Sequence, residues 1–99
     1  MTEAKVLKIW SDGTRELVTI TSSLEEQQKF VAGYIELVKL KPMIYLIVNE
    51  QGTMMHLPYN ALASQLAGTP IVGNAILTRI NSNGDSVDLT DDDLRGFVQ

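Results

Sequence analysis

The residues able to perform chemistry in this chain are few, because it has no cysteine and one histidine, His56. A histidine that acts as a general base needs an orienting partner and a nucleophile. The hydroxyls near His56 in the sequence belong to Thr53, Tyr59 and Ser64. We favour a surface or interface histidine over a catalytic one, and we assign no catalytic residue.

Glu36, Asn49 and Glu50 form the most distinctive polar set. Glu36 interrupts an apolar, strand-like run, whereas Asn49 and Glu50 begin a turn. Two carboxylates that converge can perform acid–base chemistry, but nothing in the sequence brings these two together. Structural roles are the simpler interpretation: Asn49 at the start of a turn, Glu50 in solvent, and Glu36 at a sheet edge or beside a lysine.

Tyrosines, arginines and a further asparagine complete the candidates. A tyrosine can stack on a planar ligand, and two arginines that meet beside it would form an anion or nucleotide pocket. Sheet packing and scattered surface positions are the alternatives. Asn60 is also expected to cap a helix. The residues predicted to contact a ligand are Tyr34, Glu36, Asn49, Glu50, His56, Tyr59, Asn60 and Arg79.

The acidic residues near the C-terminus are candidates for binding a cation. Residues 81–88, NSNGDSVD, contain several oxygen donors, but they lack the spacing of an EF-hand loop and its terminal bidentate glutamate. The chain also lacks a P-loop, a GxGxxG fingerprint, an HExxH motif and a GxSxG motif. We therefore predict no metal site and no cofactor.

The net charge of −4 is concentrated near the C-terminus. Residues 1–83 contain seven acidic and seven basic residues, whereas the last sixteen residues contain five aspartates and one arginine. This distribution disfavours binding to a nucleic-acid backbone, although a small local basic patch is compatible with it. Because no apolar run could span a bilayer and the N-terminus lacks a signal-peptide core, we expect a cytoplasmic protein with no membrane partner.

Residues 43–66 are predicted to organise the fold. Residues 43–48 form a dense apolar run typical of a buried strand, and a turn at 49–52 leads to a returning strand at 53–57. Pro58 ends that strand, and Asn60 starts a short helix that Gly68 terminates.

The other elements are predicted from short periodic segments and their caps. Residues 5–10 and 15–20 predict a hairpin, Ser23 with Glu26 predicts a capped helix ending at Gly33, and strands are expected at 34–40, 74–80 and 86–89. A last helix after Thr90 would dock through Leu94, Phe97 and Val98. We predict one α+β domain over 1–99: a mostly antiparallel sheet of five to seven strands with two or three short helices on one face, and a less ordered acidic tail at 81–99.

Four short motifs follow one another through the middle of the chain. They are GYIELVKL at 33–40, VNEQG at 48–52, LPYNALAS at 57–64 and IVGNAIL at 71–77. Together they resemble a family of small domains of unknown function found in bacteriophages, plasmids and related mobile elements. The resemblance implies a phage or mobile-element origin, and it implies no reaction.

A binding function follows by elimination, because the chain has no thiol, one isolated histidine, no residues at the spacing of metal ligands and no phosphate-binding loop. We interpret it as a non-catalytic accessory protein that antagonises host defence. It would bind a host protein or sequester a small nucleotide-like signalling ligand, as a homo-oligomer formed through exposed sheet edges. A small hydrolase using Glu36, Glu50 or His56 is the alternative.

Overall fold

The computed structural model describes residues 3–21 and 23–95 as a six-stranded sheet with three short helices. The strands are β1 (Glu3–Ile9), β2 (Arg15–Thr21), β3 (Ile35–Lys41), β4 (Ile44–Asn49), β5 (Ala75–Ile80) and β6 (Ser86–Val87). The helices are α1 (Leu24–Val31), α2 (Ala61–Ala67) and α3 (Asp91–Arg95).

The sheet has the strand order β2-β1-β5-β4-β3, with β6 pairing to β5. Every strand pair is antiparallel, and the opening hairpin pairs β1 with β2 along their whole length. The α+β fold class and the largely antiparallel sheet are confirmed. No helix within the described residues is long and apolar enough to cross a bilayer.

The helices divide between the two faces of the sheet. Leu46 and Leu77 belong to a buried cluster that packs against α2 and α3, whereas Ile47 and Ile76 belong to a second cluster that packs against α1. The expectation that all helices cover one face is therefore wrong. Helices cover both faces because the central strand is apolar on both sides: residues 44–48 are apolar at nearly every position, as expected for a strand that is covered on both sides.

The predicted returning strand at 53–57 is also wrong. Both edges of β4 are already occupied, by β3 on one side and β5 on the other, so a third partner has no free backbone to pair with. Residues 53–57 instead fold into consecutive turns, in which the Met55 N–H donates to the Gln51 carbonyl at 2.9 Å and the Leu57 N–H to the Gly52 carbonyl at 3.1 Å.

The predicted helix N-caps are confirmed. The Ser23 hydroxyl accepts a hydrogen bond from the Glu26 N–H at 3.1 Å, and the Asn60 side-chain oxygen accepts one from the Ala63 N–H at 3.0 Å. Each bond satisfies a backbone donor that the first helical turn leaves without an intrahelical partner.

Gly68 ends α2 in the left-handed conformation, as predicted, but α1 ends at Val31 and its left-handed C-cap is Ala32 instead of Gly33. Gly33 is needed for a different reason, since a Cβ there would lie 2.7 Å from the Asn49 amide nitrogen. At the other end of the chain, Thr90 and Asp93 cap α3. The predicted docking of Phe97 and Val98 lies outside the described residues.

Candidate functional site

A cleft of about 230 Å³ opens between the ends of β3 and β4 and the segment that follows α2. Glu36 and Glu50 both line it, together with the hydroxyl-bearing Thr53 and Thr69. We call it the acidic cleft. Its other lining residues are Val38, Val48, Asn49, Gly52, Pro70, Ile71 and Val72.

The register between β3 and β4 places the two carboxylates on the same face of the sheet. Glu36 lies opposite Val48. The Glu50 N–H donates to the Tyr34 carbonyl at 2.8 Å, which continues the ladder beyond the end of β4. Because side chains alternate along a strand, Glu50 shares a face with Val48 and therefore with Glu36. This is the convergence that the sequence alone did not indicate.

The opposite wall of the acidic cleft is fixed to α2 and to the turn after β4. Ser64 is buried, and its hydroxyl accepts from the Ile71 N–H at 2.7 Å and donates to the Ile71 carbonyl at 3.1 Å. Gly52 lets the turn pack directly on Val72, since a Cβ at position 52 would lie 2.7 Å from a Val72 methyl group. The walls are thus preformed, and Ser64 is committed to holding one of them.

The acidic cleft presents hydrogen-bond acceptors without basic neighbours. Glu36 and Glu50 are exposed, and within residues 3–21 and 23–95 their carboxylates make no hydrogen bond or ion pair. Among the described residues, no lysine, arginine or histidine lines the cleft. A ligand that carries N–H donors or a positive charge would satisfy these oxygens, whereas a phosphate group would be repelled.

Asn49 lines the acidic cleft, but the hydrogen bonds of its side chain stabilise the fold. Its side-chain oxygen accepts from the Gln51 N–H at 2.7 Å, and its amide donates to the Val31 carbonyl at 3.0 Å. The side chain is therefore buried against α1 and closes the turn after β4. This is the turn-starting role that the sequence indicated.

Asn60 is 1% exposed and has every polar atom of its side chain engaged. Besides capping α2, its amide donates to the Gly73 carbonyl at 2.9 Å and to the Ile9 carbonyl at 3.3 Å. It joins the end of β1, the start of α2 and the loop before β5. No donor is left for a ligand.

The three arginines have individual partners or positions outside the acidic cleft. Arg79 forms an ion pair with Asp93 at 2.8 Å, Arg95 pairs with Asp92 at 3.3 Å, and Arg15 lies across from Ile9 on the edge strand β2. None of them lines the acidic cleft. The anion pocket considered from the sequence is therefore not part of the acidic cleft.

The remaining predicted residues lie on the surface. Tyr34 and Tyr59 are 67% and 59% exposed, and His56 is exposed in the turns after β4 with a φ of 56°. None of the three lines the acidic cleft, although Tyr34 shares a face with Glu36. The structure therefore gathers three of the predicted ligand contacts, Glu36, Asn49 and Glu50, in one cleft, and the tyrosines and the histidine are not among the residues that line it.

Sequence reasoning missed Thr53, Thr69 and the apolar wall at 70–72. The only signal was Pro70, which marks a break after α2 but not what that break faces. The 81–88 segment shapes a turn, because the Asn81 side-chain oxygen accepts from the backbone N–H groups of Asn83 and Asp85. In the described part of the chain, no three acidic, histidine or cysteine side chains are grouped as metal ligands would be.

Comparison with known proteins gives a family and a fold. A family model described as Domain of unknown function (DUF3846) matches residues 3–99. A search among curated proteins found no match. The crystal structure of the small RNA methyltransferase HEN1 is similar with a TM-score of 0.70 at 18% sequence identity, over 93% of this chain and 15% of that one. At this identity the likeness concerns the fold alone, and the chain corresponds to a small part of that larger protein.

Proposed function

The chain belongs to the family described as Domain of unknown function (DUF3846), and from that premise we propose that it is a non-catalytic binding protein. The acidic cleft would hold the donor-bearing edge of a small nucleotide-like ligand. The observation that carries the proposal is the pair of exposed carboxylates, Glu36 and Glu50, which line one preformed cleft without a partner among the described residues.

The size and charge of the acidic cleft favour a base edge over a phosphate. Its volume of about 230 Å³ lies below the roughly 300–1,000 Å³ of pockets that enclose drug-sized ligands. A small planar group therefore fits, with the rest of the molecule outside. The exocyclic amino groups of guanine, cytosine and adenine can donate hydrogen bonds to carboxylate oxygens. A nucleotide would enter with its base first and leave its phosphate in solvent.

The polar groups near the acidic cleft support capture rather than turnover. Ser64 is buried and committed to Ile71, and His56 does not line the cleft, so these two residues do not form a histidine-activated nucleophile beside the carboxylates. A hydrolase remains the second candidate, because Glu36 and Glu50 sharing one cleft is the arrangement that an acid–base pair requires.

The sequence motifs described above support an origin in phages or other mobile elements. A protein that sequesters a host signalling nucleotide would act against host defence in the host cytoplasm. The two edge strands of the sheet, β2 and β3, offer backbone groups through which copies of the chain would associate.

Native mass spectrometry separates capture from turnover. The protein is incubated with a bacterial extract of small molecules and then transferred to the instrument without denaturation. We expect a ligand that is retained with its mass unchanged. A free product of altered mass, formed only in the presence of the protein, would support the hydrolase instead.

The variants Glu36→Gln and Glu50→Gln test the site itself. Each substitution keeps the shape of the side chain and removes its charge, so the double variant is expected to bind at least about tenfold more weakly, given the strength of charge-assisted hydrogen bonds. Glu16→Gln, an exposed position on β2 that lies away from the acidic cleft, is the matched control. Equal ligand retention by the double variant and the control would refute the proposed site.

A further inference from the structure

A second cleft, of about 380 Å³, lies on the face of the sheet that α1 covers. It is lined by Lys8 from β1, by Glu26, Lys29 and Phe30 from α1, and by Asn74 before β5. We call it the basic cleft. Two of these side chains are cationic in a protein whose net charge is −4, and none of the five residues is among the ligand contacts predicted from the sequence.

Lys8 lies over the ring of Phe30, which in turn packs against Trp10. Its ammonium group lies 4.9 Å from the centroid of the Phe30 ring, within the range of a cation–π interaction. The Trp10 ring packs edge-on against Phe30, with centroids 5.1 Å apart and an interplanar angle of 84°. The half-buried Lys8 side chain therefore reaches the cleft along a defined path instead of extending freely into water.

The charges of the two lysines are not neutralised by ion pairs. Within residues 3–21 and 23–95, neither Lys8 nor Lys29 forms a salt bridge. Glu26 is the one acidic residue lining the basic cleft, and Glu16 lies across from Lys8 on the neighbouring strand. The lining residues thus carry one positive charge more than they carry negative charge.

Asn74 adds a neutral donor and fixes the wall of the basic cleft. Its side-chain oxygen accepts from the Ser11 N–H at 3.1 Å, and its amide donates to the Phe30 carbonyl at 3.3 Å. An amide nitrogen has two hydrogens, so one remains for a ligand. The cleft therefore has two ammonium groups and one amide donor on a preformed frame.

We propose that the basic cleft binds a small phosphate-bearing anion. Lysine ammonium groups bind phosphate as point charges, and the three donor groups suit a group with several equivalent oxygens. The site is independent of the acidic cleft, because Lys8 lies beside Ile76 on the α1 face whereas Glu36 lies beside Val48 on the α2 face. One small ligand cannot occupy both.

Trp10 provides the measurement, because it is the only tryptophan in the chain and it contacts Phe30 in the cleft wall. The intact protein is titrated with inorganic phosphate while its fluorescence is recorded, with sodium chloride at equal ionic strength as the reference. We expect a saturable change with phosphate that chloride does not reproduce. A non-saturating change shared by both salts would overturn the proposal.

Charge variants localise the effect. Lys8→Met combined with Lys29→Met should weaken phosphate binding at least about tenfold, and Glu26→Gln should tighten it about threefold by removing a nearby negative charge. Lys39→Met, at an exposed lysine on β3, is the control and should leave the affinity unchanged.

Circular dichroism checks that the double variant is folded. If it is not, Lys29→Met alone, at an exposed helix position, replaces it. Binding that none of the cleft substitutions alters would also overturn the proposal.

Discussion

Asp93 connects the last helix to the sheet through both oxygens of its side chain. One accepts from the Arg79 guanidinium at 2.8 Å and the other from the Thr90 N–H at 2.8 Å. Burial of the carboxyl opposes its ionisation, but the Thr90 N–H, the Arg79 guanidinium and the Thr90 hydroxyl together outweigh burial and hold the pKa of Asp93 below its ordinary value.

Because the pKa of Asp93 is lowered, we expect the free energy of unfolding to depend on this residue at acidic pH. Since the folded-state pKa lies below the unfolded value of about 3.9, Asp93 stabilises the fold fully above that value, and its contribution is lost as the pH falls through the folded-state pKa. Asp93→Asn should reduce the free energy of unfolding at pH 7 by about 1–2 kcal/mol and make it less sensitive to pH below 4. Urea unfolding at a series of pH values measures both effects.

Asp92→Asn is the control, because the Asp92 side chain is 85% exposed and pairs only at the surface with Arg95. A change within about 0.5 kcal/mol is expected there. If Asp93→Asn lost no more stability than Asp92→Asn, the anchoring role of Asp93 would be wrong.

Single residues were predictable where their role is local. Asn60 as a helix cap follows from its neighbours in the sequence, whereas its bonds to the Ile9 and Gly73 carbonyls join segments far apart in the chain. Glu36 and Glu50 show the same limit. Each was identified as unusual, but their shared cleft depends on strand register and on the segment after α2, neither of which local composition encodes.

The two edge strands differ in how they are protected from further pairing. In β3, the pairing with β4 shifts between Lys39 and Lys41, and the lysines themselves disfavour an additional strand. In β2, all seven residues pair with β1 without a shift, and Leu17 is 44% exposed. We therefore expect self-association through β2, about a two-fold axis that pairs the strand antiparallel with its copy.

Leu17→Lys tests this assignment. A lysine on the edge strand disfavours edge-to-edge pairing, so the wild-type protein should sediment as a dimer and this variant as a monomer in analytical ultracentrifugation. Leu37→Lys is the matched control, because Leu37 lies on the other edge strand and is 49% exposed. It should remain dimeric. A wild-type monomer at every concentration, or dissociation by Leu37→Lys alone, would contradict the assignment.

The type of most secondary-structure elements was predictable from the sequence, whereas the elements that each one pairs with or packs against were less so. The strand at 44–49 and the capped helices follow from apolar periodicity and cap residues. The returning strand at 53–57 did not form, because both edges of β4 are already paired. One edge pairs with β3, which precedes β4 in the sequence, and the other pairs with β5, which follows α2. Which face each helix covers is likewise decided by packing of the whole sheet, and not by the helix sequence.

The whole molecule places two clefts of opposite character on opposite faces of one sheet. In the part of the chain that the structure describes, the acidic cleft is lined by two carboxylates and no basic side chain, and the basic cleft by two lysines and one carboxylate. Electrostatics therefore favours cationic or donor-bearing ligands on one face and anionic ligands on the other. The overall charge of −4 conceals this arrangement, which is why composition predicted the exclusion of large polyanions but not the local basic site.

The most direct measurement of the central claim is a titration of the ¹⁵N-labelled protein with guanosine, cytidine, adenosine and uridine, followed by two-dimensional NMR. The first three carry an exocyclic amino donor, so we predict saturable shifts of the backbone amides of Glu36, Glu50, Gly52 and Ile71, weaker with uridine and lost in the Glu36→Gln/Glu50→Gln variant. The absence of saturable shifts with every nucleoside, or shifts that persist unchanged in that variant, would contradict the claim that this protein binds its ligand through the acidic cleft.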